Sequence, residues 1–350
     1  MSLLKLVREK YKTISIVGMA KNTGKTMTLN HLIEEAIEES VTIGITSIGR
    51  DGESLDLVTE TEKPKIFVEE GTLVATTADM LFMGDAKVEI ISVTDYKTPL
   101  GSIIIGRVKD SGYVQIGGPQ TVKETKEVAN KMLELGAEFV IIDGALDRIS
   151  SAAPSVSEGT ILSTGATLSR TVDKVIEETL HVVNLFKLPE IEDEKAKPLV
   201  ENIIKSGKVC LINKDYELKP LKVRTALSCG NIIGDHIKED TKYVVVSGSL
   251  VKNTIEDIIK TTRRYKDIKI IISDGTKVFI KPKDWIRFQH YGVKVEVLNS
   301  INLIAITTNP YAPEGYYFDP NDFLEKMRAY VKGVPVMDVV LGGDEYGIYE

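Results

Sequence analysis

The sequence predicts an α/β protein: a doubly wound, mostly parallel sheet with a β-rich insertion, followed by a second, smaller α/β domain. Three observations predict it. Apolar runs of strand length alternate with stretches whose apolar residues recur at helical spacing. From about residue 65 to 116 short β-rich runs punctuated by glycines break that rhythm. The chain has 350 residues, 43% of them hydrophobic and 27% charged, enough for two packed cores of roughly 100–200 residues each.

The elements follow in order. Ile14-Ser15-Ile16-Val17 reads as a strand, and beyond Thr26 the residues Leu29, Leu32, Ile33, Ala36 and Ile37 share one helical face. Val41 to Ile48 reads as a second strand. Within 65–116, Ile66-Phe67-Val68, Val88 to Val93 and Ile103-Ile104-Ile105 are separated by Gly71, Gly84, Gly101, Gly106 and Gly112, the pattern of hairpins inserted into, or appended to, the sheet. Gly117-Gly118-Pro119 opens a helix reaching Leu135, which Gly136 stops, and the strand Phe139 to Ile142 follows. A helix from about Ser169 to Phe186 places Val172, Val175, Ile176, Thr179 and Val183 on one face. Lys187 to Pro198 is charged and holds two prolines, so the expected boundary falls there, with 1–190 the first domain and 200–350 the second. In the latter, strands at 209–212, 243–246, 268–272, 293–298, 303–308 and 336–340 flank helices at 254–265 and 321–331. Thr254 with Asp257, and Asp319 with Pro320 and Asp322, are helix-start signals.

Composition narrows the function classes. A net charge of -7 and a pI near 5.4 argue against a broad basic face for nucleic acid or anionic lipid. No run approaches the ~20 apolar residues of a membrane span, and Met1 to Tyr11 lacks the apolar core of a secretory signal. Cys210 and Cys229 have no metal spacing, and Cys210 lies in an apolar run as a buried thiol would. The sequence reads as a cytoplasmic protein without nucleic-acid or membrane partners.

Chemistry concentrates in Gly18-Met19-Ala20-Lys21-Asn22-Thr23-Gly24-Lys25-Thr26, between a strand and an amphipathic helix. A polyphosphate needs backbone N–H groups at close approach and the positive end of a new helix. This context is that of a phosphate-binding loop. Gly18, Lys21, Asn22, Thr23, Gly24, Lys25 and Thr26 are the candidate nucleotide contacts, with Lys25 a charge against the β- and γ-phosphates and Thr26 a Mg²⁺ ligand. Five residues rather than four separate the two glycines. Lys21 stands either as a phosphate contact or as a solvated loop lysine.

Asp143, closing the apolar strand 139–142 before Gly144, is the second Mg²⁺ candidate. Ser47 to Glu53 ends the second strand, where ligands of doubly wound sheets sit. There Asp51 and Glu53, with Lys25 the candidate catalytic residues, would bind Mg²⁺ or orient an attacking oxygen and Arg50 would neutralise phosphate charge, or the three residues 50, 51 and 53 form a solvated turn. Arg148 either reaches a phosphate or pairs with Asp147. Ser163-Thr164-Gly165-Ala166 either lines the site or is a plain turn. Asn213-Lys214-Asp215 resembles the guanine-reading Asn-Lys-x-Asp, but Tyr216 occupies the carboxylate's place, so ATP is expected and GTP less so. The four histidines, His31, His181, His236 and His290, have no zinc spacing.

The stretch from Ile16 to Thr26 and the later Asp-Gly strand resemble the branch of phosphate-loop NTPases that holds dethiobiotin synthetase, the molybdopterin-guanine dinucleotide accessory protein and the MinD ATPases, over about residues 12–186. More narrowly, IVGMAKNTGKT, TSIGRDGE and IDGALDR resemble the ATP-binding subunits of lysine 5,6-aminomutase reactivases. That resemblance implies an ATPase that drives damaged cobalamin out of an aminomutase, with a partner subunit assisting. It places Gly24, Lys25 and Thr26 in the nucleotide loop and Asp143 at the metal. The expectation is a Mg²⁺-dependent ATPase acting on a protein client or partner subunit, with a homodimer as one expected assembly and the C-terminal domain as docking region. A small-molecule kinase or ATP-dependent ligase and a non-hydrolysing nucleotide sensor are the rivals.

Overall fold

Residues 2–49, 66–144, 149–223, 226–227 and 229–339 are described by the computed structural model. After a short helix α1 (Leu3–Val7), strand β1 (Thr13–Gly18) leads through a loop into α2 (Lys25–Glu38) and back to β2 (Ile43–Ile48). The central strands are buried on both faces, and alternate residues sort to opposite layers. Ile14, Ile16, Ile43, Ile45 and Ile141 join Leu3, Leu4, Leu29, Leu32 and Ile33 in one core, so α1 and α2 cover one face of the sheet.

The glycine-punctuated region is partly a continuation of that sheet. It comprises β3 (Ile66–Val68), β4 (Leu73–Thr77), a turn of helix α3 (Ala78–Leu81), the long hairpin β5 (Lys87–Thr98) and β6 (Gly101–Asp110), and β7 (Gly112–Val114). β4 pairs parallel with β2, β6 and β5 add antiparallel at the edge, and β3 and β7 form a separate two-stranded ribbon. Gly101 tightens the hairpin with φ 93°. Helix α4 (Val122–Glu134) starts later than Gly117, behind a capping box made by Thr121 and Glu124. Residues 117–119 instead run against β2: a Cβ on Gly118 would lie 1.6 Å from the Ser47 carbonyl oxygen. Val128, Ala129 and Met132 of α4 pack on Val140, Ile142, Leu73 and Ile105, which covers the second face. Strands β8 (Phe139–Gly144) and β9 (Gly159–Gly165) follow, then α5 (Val172–Phe186).

The chain next builds a second compact unit, 180–302. Its elements are α6 (Ala196–Ser206), β10 (Val209–Asn213), β11 (Leu218–Pro220), α7 (Gly230–His236), β12 (Thr241–Val246), β13 (Leu250–Val251), α8 (Lys252–Thr261), β14 (Lys269–Ile272), β15 (Val278–Phe279), α9 (Pro282–His290) and β16 (Val295–Val297). A five-stranded sheet in the order β11-β10-β12-β14-β16 forms its centre. Here Thr254 does not start a helix. It lies inside α8, buried, with its hydroxyl donated to the Ala226 carbonyl at 2.7 Å, because Lys252 already begins the turn. Asp193 joins several elements, accepting from Lys242 Nζ at 2.6 Å, from Tyr243 Oη at 3.0 Å and from the Ala196 N–H at 3.2 Å. Burial opposes its charge, but these donors outweigh it and hold the carboxyl at about 2.

The chain then leaves the second unit. β17 (Leu303–Asn309), α10 (Pro320–Tyr330) and β18 (Val336–Asp338) belong with 1–179, not with the residues before them. The large sheet reads β18-β17-β9-β1-β8-β2-β4-β6-β5 among the described residues, parallel from β18 to β4. The expected α/β class with a mostly parallel large sheet is therefore present. The division at 190–200 is corrected: among the described residues the first unit ends inside α5, at Thr179, and 303–339 return to it. The charged 187–198 stretch carries a bridge from Glu190 to Val297 and the Asp193 junction instead of a linker. As expected, Asp319 caps α10 by accepting from Asp322 N–H at 2.9 Å, ahead of Pro320.

Candidate functional site

The loop 18–26 leaves β1 at the carboxyl edge of the large sheet. Its shape follows from three residues. A Cβ on Gly18 would sit 2.7 Å from Thr23 Oγ1, so only glycine lets the loop close over its own start. Thr23 is buried and donates to the Ala20 carbonyl at 2.9 Å. Asn22 and Gly24 both take left-handed conformations, φ 62° and φ 91°. Gly24 is the N-cap of α2 and provides no side-chain cap, so the N–H groups of the first turn keep their capacity for an outside acceptor. Lys21 and Thr26 are half-buried and Asn22 is exposed.

Lys25 and Asp143 come together across neighbouring strands. β8 runs parallel beside β1 with Ile16 opposite Asp143, which puts that carboxylate near the root of the loop. Lys25 Nζ lies 2.9 Å from Asp143 Oδ1, with the two side chains 16% and 22% exposed, and it also donates to the Gly144 carbonyl. A cation, an anion-accepting helix start and a metal-competent carboxylate thus share one strand edge. Asp51 and Glu53, with Arg50, Asp147 and Arg148, lie outside the described residues. The described part of β2 ends beside the site, with Ser47 opposite Asp143.

Sequence reasoning missed how much of the loop's support comes from strands that are distant in sequence. The Ser163 carbonyl accepts from the Met19 N–H at 2.9 Å, so Ser163, which lies within β9 and not in a turn, braces the start of the loop. Behind α2, Thr28 Oγ1 lies 2.7 Å from Thr307 Oγ1 and 3.1 Å from Ser163 Oγ, a buried hydroxyl triangle joining α2, β9 and β17. Asn309, last residue of β17, donates from Nδ2 to the Asn22 carbonyl at 3.0 Å. A Cβ on Gly24 would lie 3.0 Å from Asn309 Cβ. The one available signal was the pattern already used for Asp143, polar residues (Thr307-Thr308-Asn309) closing an apolar strand.

Other candidates take structural roles. Asn213 Oδ1 accepts from the backbone N–H groups of Asp215 and Glu217 at 3.0 and 2.8 Å, and its Nδ2 donates to Glu217 at 2.9 Å. Tyr216 gives its hydroxyl to Asp193. The segment is a self-satisfied turn in the second unit. His31 sits 3.6 Å from Glu35, His236 on its own helix, and His181 on the Ile280 carbonyl. Cys210 is buried, which pushes its thiol up.

Among the described residues no helix is long and apolar enough to cross a membrane, and no three or more His, Cys, Asp or Glu side chains are grouped to hold a metal ion by themselves. No protein-family model matches the chain, and no curated protein matches it.

Proposed function

We propose that this chain binds a Mg²⁺–nucleoside triphosphate, ATP in preference to GTP, in the 18–26 loop, and hydrolyses it to alter its contact with a protein partner, as a phosphate-loop NTPase. One observation carries the reading. A lysine on the first residue of a glycine-capped helix faces a carboxylate at the end of the adjacent parallel strand.

The residues fit such a ligand. The uncapped first turn of α2 offers N–H donors and the positive end of a helix dipole to phosphate oxygens. Lys25 supplies the mobile charge. Thr26 and Asp143 would hold Mg²⁺, whose charge would neutralise the phosphates. Two protein oxygens suit this ion, which keeps waters and phosphate oxygens in the rest of its shell. Gly18 and Gly24 let the loop close against Thr23 and Asn309, which a Cβ at either position would press upon. The partner-coupled ATPase is favoured by the resemblance to the reactivase subunits, and ATP by the turn role of Asn213.

The test is calorimetric titration of the full chain with MgATP and MgGTP. Lys25→Ala should lower ATP affinity by one to two orders of magnitude, since charge-assisted contacts to phosphate contribute on the order of 1.5–3 kcal/mol each. Unchanged affinity would falsify the reading. Phosphate release from ATP without any added acceptor favours the ATPase, whereas release that begins only with a metabolite favours a kinase or ligase.

A further inference from the structure

On the reading just given, Lys25 should serve a phosphate, yet its ammonium already has partners. It lies 2.9 Å from Asp143 Oδ1 and donates to the Gly144 carbonyl. Both acceptors belong to the last two residues of β8, so the lysine is fastened toward one flank of β1, away from β9 and β17 on the other.

We propose that Asp143 restrains Lys25, so that a polyphosphate engages the loop tightly only together with a divalent cation that takes over the carboxylate. The inference rests on the nucleotide-loop reading, and it adds a restraint on Lys25 that the reading does not require. With its side chain 22% exposed, Asp143 is partly withdrawn from water. An anion that took Lys25 alone would leave this carboxylate without its counter-charge and beside further negative charge. An anion arriving with a divalent cation leaves nothing unpaired: the carboxylate turns to the cation and the ammonium to phosphate. The two ligands then favour each other, and by the same factor in either order of binding. One charge-assisted hydrogen bond from the released ammonium to phosphate corresponds to roughly tenfold or more in affinity.

The experiment titrates the full chain with ATP and with inorganic tripolyphosphate, each in Mg²⁺ and in EDTA. The wild type should bind both probes at least about tenfold more tightly with Mg²⁺. Asp143→Asn keeps the side-chain shape and removes the charge. It should raise the affinity in EDTA about tenfold and reduce the Mg²⁺ gain to a few-fold. In a Lys25→Ala background the same substitution should gain less than about twofold, because the effect runs through the lysine.

Metal-free affinity that stays level or falls in Asp143→Asn overturns the proposal. So does an equal gain without Lys25, which would mean that the carboxylate repels phosphate directly. If Asp143→Asn does not fold, the wild type alone decides, and tripolyphosphate affinity indifferent to Mg²⁺ overturns the restraint. If the wild type binds neither probe in either condition, the nucleotide-loop reading fails with it. Binding without Mg²⁺ coupling sinks only the restraint.

Discussion

Asn309 offers the sharpest perturbation of the loop, because it acts from 287 residues away in sequence. Its Nδ2 donates to the Asn22 carbonyl at 3.0 Å, and its Oδ1 accepts from the Tyr311 N–H at 3.1 Å. Asn309→Ala removes both. An exposed neutral hydrogen bond contributes about 0.5–1.5 kcal/mol net, so losing two should lower global stability by about 1–3 kcal/mol. Asn22 sits at φ 62°, a conformation that costs a non-glycine residue roughly 1 kcal/mol and persists only under restraint. With the tether gone the loop spends less time in its binding shape, and apparent affinity falls with the competent fraction. A loss of about 1 kcal/mol in loop order means about a fivefold weaker MgATP titration. Asn309→Asp should do worse, because it sets a carboxylate against the Asn22 carbonyl and cannot donate. The assay is calorimetry for affinity beside urea unfolding for stability. Affinity unchanged within twofold in a folded Asn309→Ala protein would show that the Thr23–Ala20 and Met19–Ser163 bonds hold the loop by themselves. A loss beyond a hundredfold would show that Asn309 touches the ligand.

Two further outcomes are expected. Asp193→Asn should destabilise the protein by roughly 2 kcal/mol in urea unfolding above pH 3.8, since its carboxyl is held down at about 2 against an ordinary 3.8. A depressed folded pKa gives stability that is complete above the unfolded value, so the gap between wild type and variant should shrink as pH falls from 3.8 toward 2. A gap that widens there would contradict the assignment. Asp215→Ala should leave the ratio of ATP to GTP affinity unchanged in competition against one fluorescent analogue, because the 213–217 turn is satisfied internally. A GTP preference abolished by that change would make the turn a base-reading element.

Much of the architecture was legible because its signals are local. β1, β8 and β17 announce themselves as short apolar runs, α4 by the Gly136 that stops it and α10 by its N-cap. The loop between Gly18 and Thr26 could be located from its residue types and its strand–helix context, since glycine, lysine and a helix start are properties of adjacent residues. Even Asp143 could be singled out, because a polar residue ending an apolar strand stands out in the sequence.

What the sequence could not determine is which distant segments meet. Leu303 to Thr308 reads equally well as a strand of either sheet, and only its parallel register against β9 places it in the first. The consequence is large: Thr307 closes the hydroxyl triangle and Asn309 holds the loop, from a stretch expected in another domain. The Lys25–Asp143 ion pair is of the same kind, fixed by the order β1-β8 in the sheet. Local propensity acts over a turn or a strand, whereas register and strand order are decided by burying whole faces at once. The residue types of the candidate site could therefore be read along the chain, and their partners only across it.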